Sequence, residues 1–197
     1  DGWGGDYTQR MRLPVEIVQR VREAVGPDFI LIYRLSLIDL IPDGSSWPEV
    51  LQLAQAVCSA GATILNSGIG WHEARVPTIA TSVPRAAFAD VTRKLRDDLR
   101  AAGLAVPVVA SNRINTPEVA DGVLAAGCAD LVSLARPFLA DAQFVRKAAE
   151  GRADEINTCI ACNQACLDHT FGGRQQVSCL VNPRACNETL LHYRPVA

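Results

Sequence analysis

No stretch of this sequence is apolar for long enough to cross a bilayer. The longest runs, such as Phe29 to Tyr33, fall far short of the roughly 20 residues a spanning helix needs. No basic segment leads into an apolar stretch at the start, so there is no secretory signal to read and a cytoplasmic location is expected. Neither sign of charge is in excess: the net charge of −2 gives no electrostatic reason to expect nucleic acid or an anionic membrane as partner. No Gly-rich dinucleotide fingerprint follows any short β-branched run. Seven cysteines, an odd number, argue against a closed set of disulfides.

What is present suffices for a core, since 49% of the 197 residues are hydrophobic. The opening Asp1-Gly2-Trp3-Gly4-Gly5-Asp6 reads as the middle of a loop, so the chain is expected to be a fragment of a longer protein. Helix-like stretches then alternate with β-branched runs. Ile17, Val18, Val21 and Val25 share one face of a helix over Leu13 to Val25, which Gly26-Pro27 stops. Strands are expected at residues 29–33, 62–66, 106–110 and 129–134. Further helices are expected at 48–60, 85–102, from Thr116-Pro117 onward and at 137–149, with Pro48 in a first turn and Thr116 as a cap.

Alternation of this kind implies βαβ units and a parallel sheet. Periodicity alone does not separate an open doubly wound sheet from an arc of a barrel. The missing fingerprint favours the barrel, as do the polar residues after each strand: Arg34, Asn66 with Ser67, Ser111 to Arg113, and Arg136. Barrel enzymes place their chemistry there. Four units make half of eight, so residues 1–150 are expected to form the carboxyl-terminal half of a (β/α)8 TIM barrel. Residues 151–197 break the pattern and read as an irregular four-cysteine segment.

Within that segment the spacing is Cys159-x2-Cys162-x3-Cys166-x12-Cys179. Two close ligands, a third one helical turn later and a fourth from a distant loop suit a [4Fe–4S] cluster, in which each iron takes one thiolate. A structural zinc site also accepts four cysteines, more often as paired Cys-x2-Cys knuckles, and stays open as the alternative. Cys186 is read as a bystander. Cys58 and Cys128 are read as small core residues, Trp3 and Trp47 as packing.

Six stretches carry a resemblance: Gly4-Gly5-Asp6-Tyr7, Ile32-Tyr33-Arg34-Leu35-Ser36, Gly68-Ile69-Gly70-Trp71-His72-Glu73-Ala74-Arg75, Asn112-Arg113-Ile114-Asn115, Ala135-Arg136-Pro137-Phe138 and Cys159-Ile160-Ala161-Cys162-Asn163-Gln164-Ala165-Cys166. In this order they closely resemble the bacterial NADPH-dependent 2,4-dienoyl-CoA reductases, a branch of the Old Yellow Enzyme-related iron–sulfur flavoenzymes. The Trp71 to Arg75 stretch points to the dienoyl-CoA branch. The rest is shared with the wider group, which includes amine dehydrogenases and enoate reductases.

The resemblance implies an oxidoreductase of fatty acid β-oxidation. Electrons pass from NADPH through FAD and the cluster to FMN, and a hydride goes on to an unsaturated acyl-CoA thioester. It implies that the first half of the barrel, with a proton-donating tyrosine, and the FAD/NADPH region lie outside this chain, leaving the fragment alone inactive. Arg34 is then expected beside the pyrimidine end of the flavin, where a cation stabilises charge on the reduced ring. Ser111, Asn112, Arg113, Ala135 and Arg136 are expected to hold the FMN phosphate, as loops after the last two strands of such barrels commonly do. His72 is expected beside the substrate thioester in a catalytic role, with Glu73, Ala74 and Arg75 also near substrate. Gln164 is expected on the flavin side of the electron path. Cys159, Cys162, Cys166 and Cys179 are the implied cluster ligands. From a different class, a non-enzymatic, zinc-stabilised binding module remains an alternative.

Overall fold

Helix α2 shows how directly the sequence writes the scaffold. Arg12–Val25 winds as one helix after the single turn of α1, Tyr7–Arg10, and Gly26 ends it at φ 81°, a left-handed value that suits glycine. Arg22 then reaches across and donates to the carbonyl oxygen of Gly61 from Nε and Nη2, at 3.1 and 2.8 Å. These features belong to a computed structural model that describes residues 2–173 and 176–193.

Four strands follow, β1 (Ile32–Ile38), β2 (Ile64–Ile69), β3 (Val108–Ala110) and β4 (Leu131–Val132), interleaved with α3 (Trp47–Ser59), α4 (Ala89–Ala101) and α5 (Pro117–Ala125). All pairings are parallel and the sheet order is β1-β2-β3-β4, so each strand lies beside its neighbour in sequence. A doubly wound sheet reverses its order at a switch point. This sheet does not, and the expectation of an α/β, barrel-like arc agrees with it.

Helices cover one face of the arc. Leu35 and Leu37 of β1, Leu65 and Ile69 of β2 and Val108 of β3 pack against Val50, Ala54 and Val57 of α3 and Leu95 and Leu99 of α4. Leu65, Leu95 and Leu99 are wholly buried, and truncating any one to Ala would cost about 2–5 kcal/mol. Cys58 packs beside this cluster, where burial pushes its thiol pKa up to about 11. Cys128 is buried in a second cluster with Ala110, Ile114, Ala120 and Val123. Trp47 also packs as expected and donates from its indole to Asp98 at 2.7 Å. Trp3 is half exposed under the Arg12 guanidinium.

Several expected boundaries move. The first strand begins at Ile32 and runs to Ile38, because its signature is alternation: Leu35 and Leu37 face the helices while Arg34 and Ser36 take the other face. Phe29 and Ile30, expected inside it, are exposed. Arg34 and Ser67, expected beyond their strands, therefore lie within them, and Asn66 is a strand residue as the expected range 62–66 has it. The helix expected over 85–102 starts at Ala89, because Ala86 is held in a turn by its N–H bond to the Arg113 carbonyl. Strand β4 is shorter than 129–134, although Asp130 and Ser133 extend its hydrogen bonding to Val108 and Ala110.

The helix expected over 137–149 is two helices, α6 (Arg136–Ala140) and α7 (Phe144–Ala149). Asp141 breaks it by adopting an extended backbone and spending its carboxylate on the N–H groups of Gln143 and Asn157 and on Lys147. Thr116 caps α5 as expected, accepting from Val119 N–H, and Pro48 lies in the first turn of α3. Beyond Gly151 the described residues are irregular apart from one 3-10 turn, α8 (Leu167–Gly172) and an isolated bridge between Cys179 and Asn182. Among the described residues no helix is long and apolar enough to cross a membrane.

Candidate functional site

The face of the sheet opposite α3 and α4 carries polar side chains among apolar ones. Arg34 of β1, Asn66 of β2 and Ser133 after β4 all line one cavity of about 440 Å³. The turn after β3 supplies Ser111, Asn112 and Arg113 to it, and the start of α6 supplies Ala135 and Arg136. The structure thus brings together Arg34, Ser111, Asn112, Arg113, Ala135 and Arg136 around one space. Among the described residues no aspartate or glutamate lines it. Nor, among the described residues, does any carboxylate form an ion pair with Arg34, Arg113 or Arg136. Three cations without an acid between them make a cavity suited to an anion.

Backbone strain fixes this corner. Asn112 and Arg113 stand in the left-handed region at φ 70° and 57°, a conformation costing about 1–2 kcal/mol for a residue such as Arg. Two bonds offset it: Arg113 Nε donates to the Val83 carbonyl at 2.8 Å, and the Arg113 carbonyl accepts from Ala86 N–H at 3.0 Å. Burial, and after it repulsion from Arg136, pulls the Arg113 pKa below its ordinary value. An anion there would relieve both. Ser111 is occupied otherwise, since its buried hydroxyl binds Ser67 across the strands.

A larger cleft of about 730 Å³ adjoins this cavity, with Arg34, Ile79 and Asn112 in both walls. It holds Trp71, His72, Glu73 and Ala74 along one side; Arg75 lies exposed just outside its lining. The loop leaves β2 through Gly70 at φ 72°, where an added Cβ would meet the Thr78 side chain at 2.8 Å. Asp39 anchors it. Burial alone would raise the Asp39 pKa, but hydrogen bonds from Ser36, Ser45 and Trp71 outweigh it and hold the carboxylate below its usual range. The ring of His72 meets Phe171 of α8 edge-on, at 5.9 Å between centroids.

The cysteines form the third part. Cys159, Cys162, Cys166 and Cys179 line one small pocket whose other walls include Leu139, Ile160, Ala161, Ala165, Leu180 and Val181. Cys186 does not line it. Its N–H bonds Glu188, and its carbonyl accepts from Gln176. Burial raises the Cys179 pKa, partly countered by N–H bonds from Val181 and Asn182, and Cys159 and Cys166 are near enough to raise it further. None of the seven cysteines is paired in a disulfide. Among the described residues, no three His, Cys, Asp or Glu side chains converge to hold a single metal ion.

The segment is tied to the sheet loops by Thr81 Oγ1 to the Ile160 carbonyl (2.7 Å), Asn115 Nδ2 to the Cys159 carbonyl (2.8 Å), Arg136 Nη1 to Asn163 Oδ1 (2.5 Å) and Asn182 Nδ2 to the Leu139 carbonyl (2.8 Å). Gln164 is exposed and lines none of these spaces. Its neighbour Asn163, at φ 64°, lines both the cleft and the cysteine pocket. Sequence reasoning placed Asn66 at a strand end where such barrels keep their chemistry, and missed Asn163, Asn115 and Ser36 as site residues. Ser36 carries a usable signal, a polar position alternating with buried ones; Asn163 and Asn115 carry only their place beside the cysteine and arginine motifs.

Comparison with known proteins places this geometry. Residues 1–155 match the model of the NADH:flavin oxidoreductase / NADH oxidase family, and the chain belongs to that family of FMN-dependent oxidoreductases. A metal reductase of Desulforamulus reducens is 39% identical over 197 residues, covering all of this chain and 29% of that protein. The structure of a 2-naphthoyl-CoA reductase in complex with 2-naphthoyl-CoA superposes with a TM-score of 0.85 and 34% identity, over 95% of this chain and 28% of that one. Histamine dehydrogenase from Rhizobium sp. 4-9 follows at 0.78 and 26%, over 95% and 26%. The chain therefore spans under a third of the length of these relatives, whose names give them three different substrates.

Proposed function

We propose that this chain is the carboxyl-terminal half of an FMN-binding barrel and the start of a cluster segment, residues 1–150 and 151–197, within a reductase of unsaturated acyl-CoA thioesters such as 2,4-dienoyl-CoA. The observation that carries the reading is the contiguity of three spaces. The carboxylate-free arginine cavity shares Cys159 and Arg136 with the four-cysteine pocket and Arg34 and Asn112 with the His72 cleft. An anionic cofactor in the first would lie between an electron source and a substrate.

The residues fit the groups assigned to them. Arg113 and Arg136 have no carboxylate partner among the described residues and crowd each other, which suits the FMN phosphate, while Arg34 lines the same cavity, where a flavin ring would lie. Four thiols ringing a largely apolar pocket, spaced Cys-x2-Cys-x3-Cys-x12-Cys, support a [4Fe–4S] cluster. FMN, when bound, supplies the hydride. Saturating one double bond of a 2,4-dienoyl thioester takes that hydride and one proton, and negative charge gathers on the thioester oxygen in between. His72 donates a hydrogen bond to that oxygen and holds the thioester end in the cleft, with Glu73 to Arg75 at its rim. Arg34 favours the flavin when it carries extra negative charge. NADPH and FAD act from the part of the protein beyond this chain. Support for a thioester substrate comes from the 2-naphthoyl-CoA reductase, whose likeness to this chain exceeds that of histamine dehydrogenase.

One experiment separates the thioester and amine readings. The whole polypeptide that carries this chain, prepared without oxygen, is photoreduced and mixed with 2,4-dienoyl-CoA or 2-naphthoyl-CoA; the oxidised form is mixed with histamine or dimethylamine. Flavin reoxidation by a thioester is the expected outcome. Flavin reduction by an amine, with no response to either thioester, overturns the reading.

A further inference from the structure

Arg136 occupies an unusual position. Its side chain lines the arginine cavity and the cysteine pocket at once, and so does Cys159. Its Nη1 donates to Asn163, the residue directly after Cys162, so the guanidinium is fastened to the cysteine loop rather than left free in the cavity. Its backbone opens α6, and no carboxylate among the described residues pairs with it. Arg136 therefore borders the anion-suited cavity on one side and the four cysteines on the other, with largely apolar walls around the cysteines that screen little.

We propose that Arg136 couples the charge of the cluster to occupancy of the flavin phosphate site. The inference rests on the cluster and phosphate reading given above. When the cluster takes up one electron its charge becomes more negative by one, and a cation in its wall favours that state. A phosphate dianion on the opposite side of the same guanidinium offsets that cation and disfavours it. Phosphate binding therefore lowers the reduction potential of the cluster. By linkage, reduction of the cluster weakens the hold on phosphate by the same free energy. Such coupling makes the reduced cluster a better electron donor when flavin is in place than when the site is empty.

The test is a redox titration of the cluster by electron paramagnetic resonance, with dithionite as reductant, on the whole iron-loaded protein stripped of FMN. Adding FMN should shift the cluster midpoint to lower potential, whereas riboflavin, which lacks the phosphate, should shift it less. Arg136→Gln should start from a lower midpoint and lose most of the difference between FMN and riboflavin. Arg136→Lys should retain both features, and Arg34→Gln should leave the flavin-free midpoint in place because Arg34 does not line the cysteine pocket. The FMN against riboflavin comparison needs no substitution, so a variant that fails to fold leaves the test intact. Equal midpoints with FMN and riboflavin in the wild type, with iron and sulfide present, overturn the coupling alone. Absence of iron and acid-labile sulfide overturns the cluster reading and the coupling with it.

Discussion

Lys147 Nζ donates a 2.7 Å hydrogen bond to Oδ2 of Asp141, and the two side chains are only 17% and 6% exposed. The pair sits at the break between α6 and α7, where the same carboxylate oxygen also accepts from Asn157 N–H, two residues before Cys159. It connects the end of the barrel-like part to the beginning of the cysteine segment.

Burial alone would raise the Asp141 pKa, but its bonds to Lys147, Asn157 and Gln143 prevail and hold it below the ordinary carboxylate value. A depressed folded-state pKa contributes stability that is complete above the unfolded value of about 3.9 and is lost as pH falls through the lower folded one. Asp141→Asn should cost about 3 kcal/mol at pH 7, the low end for breaking a buried pair, because Lys147 keeps its bond to the Glu155 carbonyl. It should also flatten the acid side of the stability curve. Urea melts of both proteins between pH 3 and 7 check this; an unchanged pH slope would count against it.

The ligand assignment makes a sharp contrast between two cysteines. Cys179→Ser, prepared without oxygen, should lose iron and acid-labile sulfide, whereas Cys186→Ser should retain both, since only Cys179 lines the pocket. Iron loss from Cys186→Ser with full retention in Cys179→Ser would reverse the assignment.

For FMN, Arg113→Ala should weaken binding by about 1.5–3 kcal/mol, the worth of one charge-assisted contact. Iron content should stay unchanged. Fluorescence titration of the stripped protein reads the affinity, and equal affinities would remove Arg113 from the phosphate site.

His72→Ala should slow flavin oxidation by dienoyl-CoA about 10²–10⁴-fold, the range for a positioned acid–base group. Flavin reduction by NADPH should stay nearly constant. Stopped-flow measurement of the two half-reactions decides; a slowed reductive half would move His72 from substrate handling to support of the cofactors.

Much of this was legible in the sequence, and the misses share a cause. The alternation of helices and strands, the Thr116 cap and the four-cysteine spacing follow from local patterns, and local interactions decide them. Arg34 reads as a strand exit because polarity resembles an ending, whereas in an alternating strand it is only the other side of the pleat. The break at Asp141 depends on Asn157 and Lys147, which no helical period anticipates. Asn115 and Asn163 matter through partners 44 and 27 residues away, so their importance emerges only once the sheet has brought the loops together.

The ties between the sheet loops and the cysteine segment span 79, 44 and 43 residues for Thr81–Ile160, Asn115–Cys159 and Asn182–Leu139, and in each the residue on the sheet side comes earlier in the chain. Biosynthesis proceeds in that same direction. The cysteines leave the ribosome after Thr81, Asn115 and Leu139, so these three anchoring partners are already synthesised when the thiols emerge. Four thiols of an extended tail would be open to oxidation or to any passing soft metal. Partners made earlier in the chain give the segment three places to dock as it emerges, which would shorten that exposure.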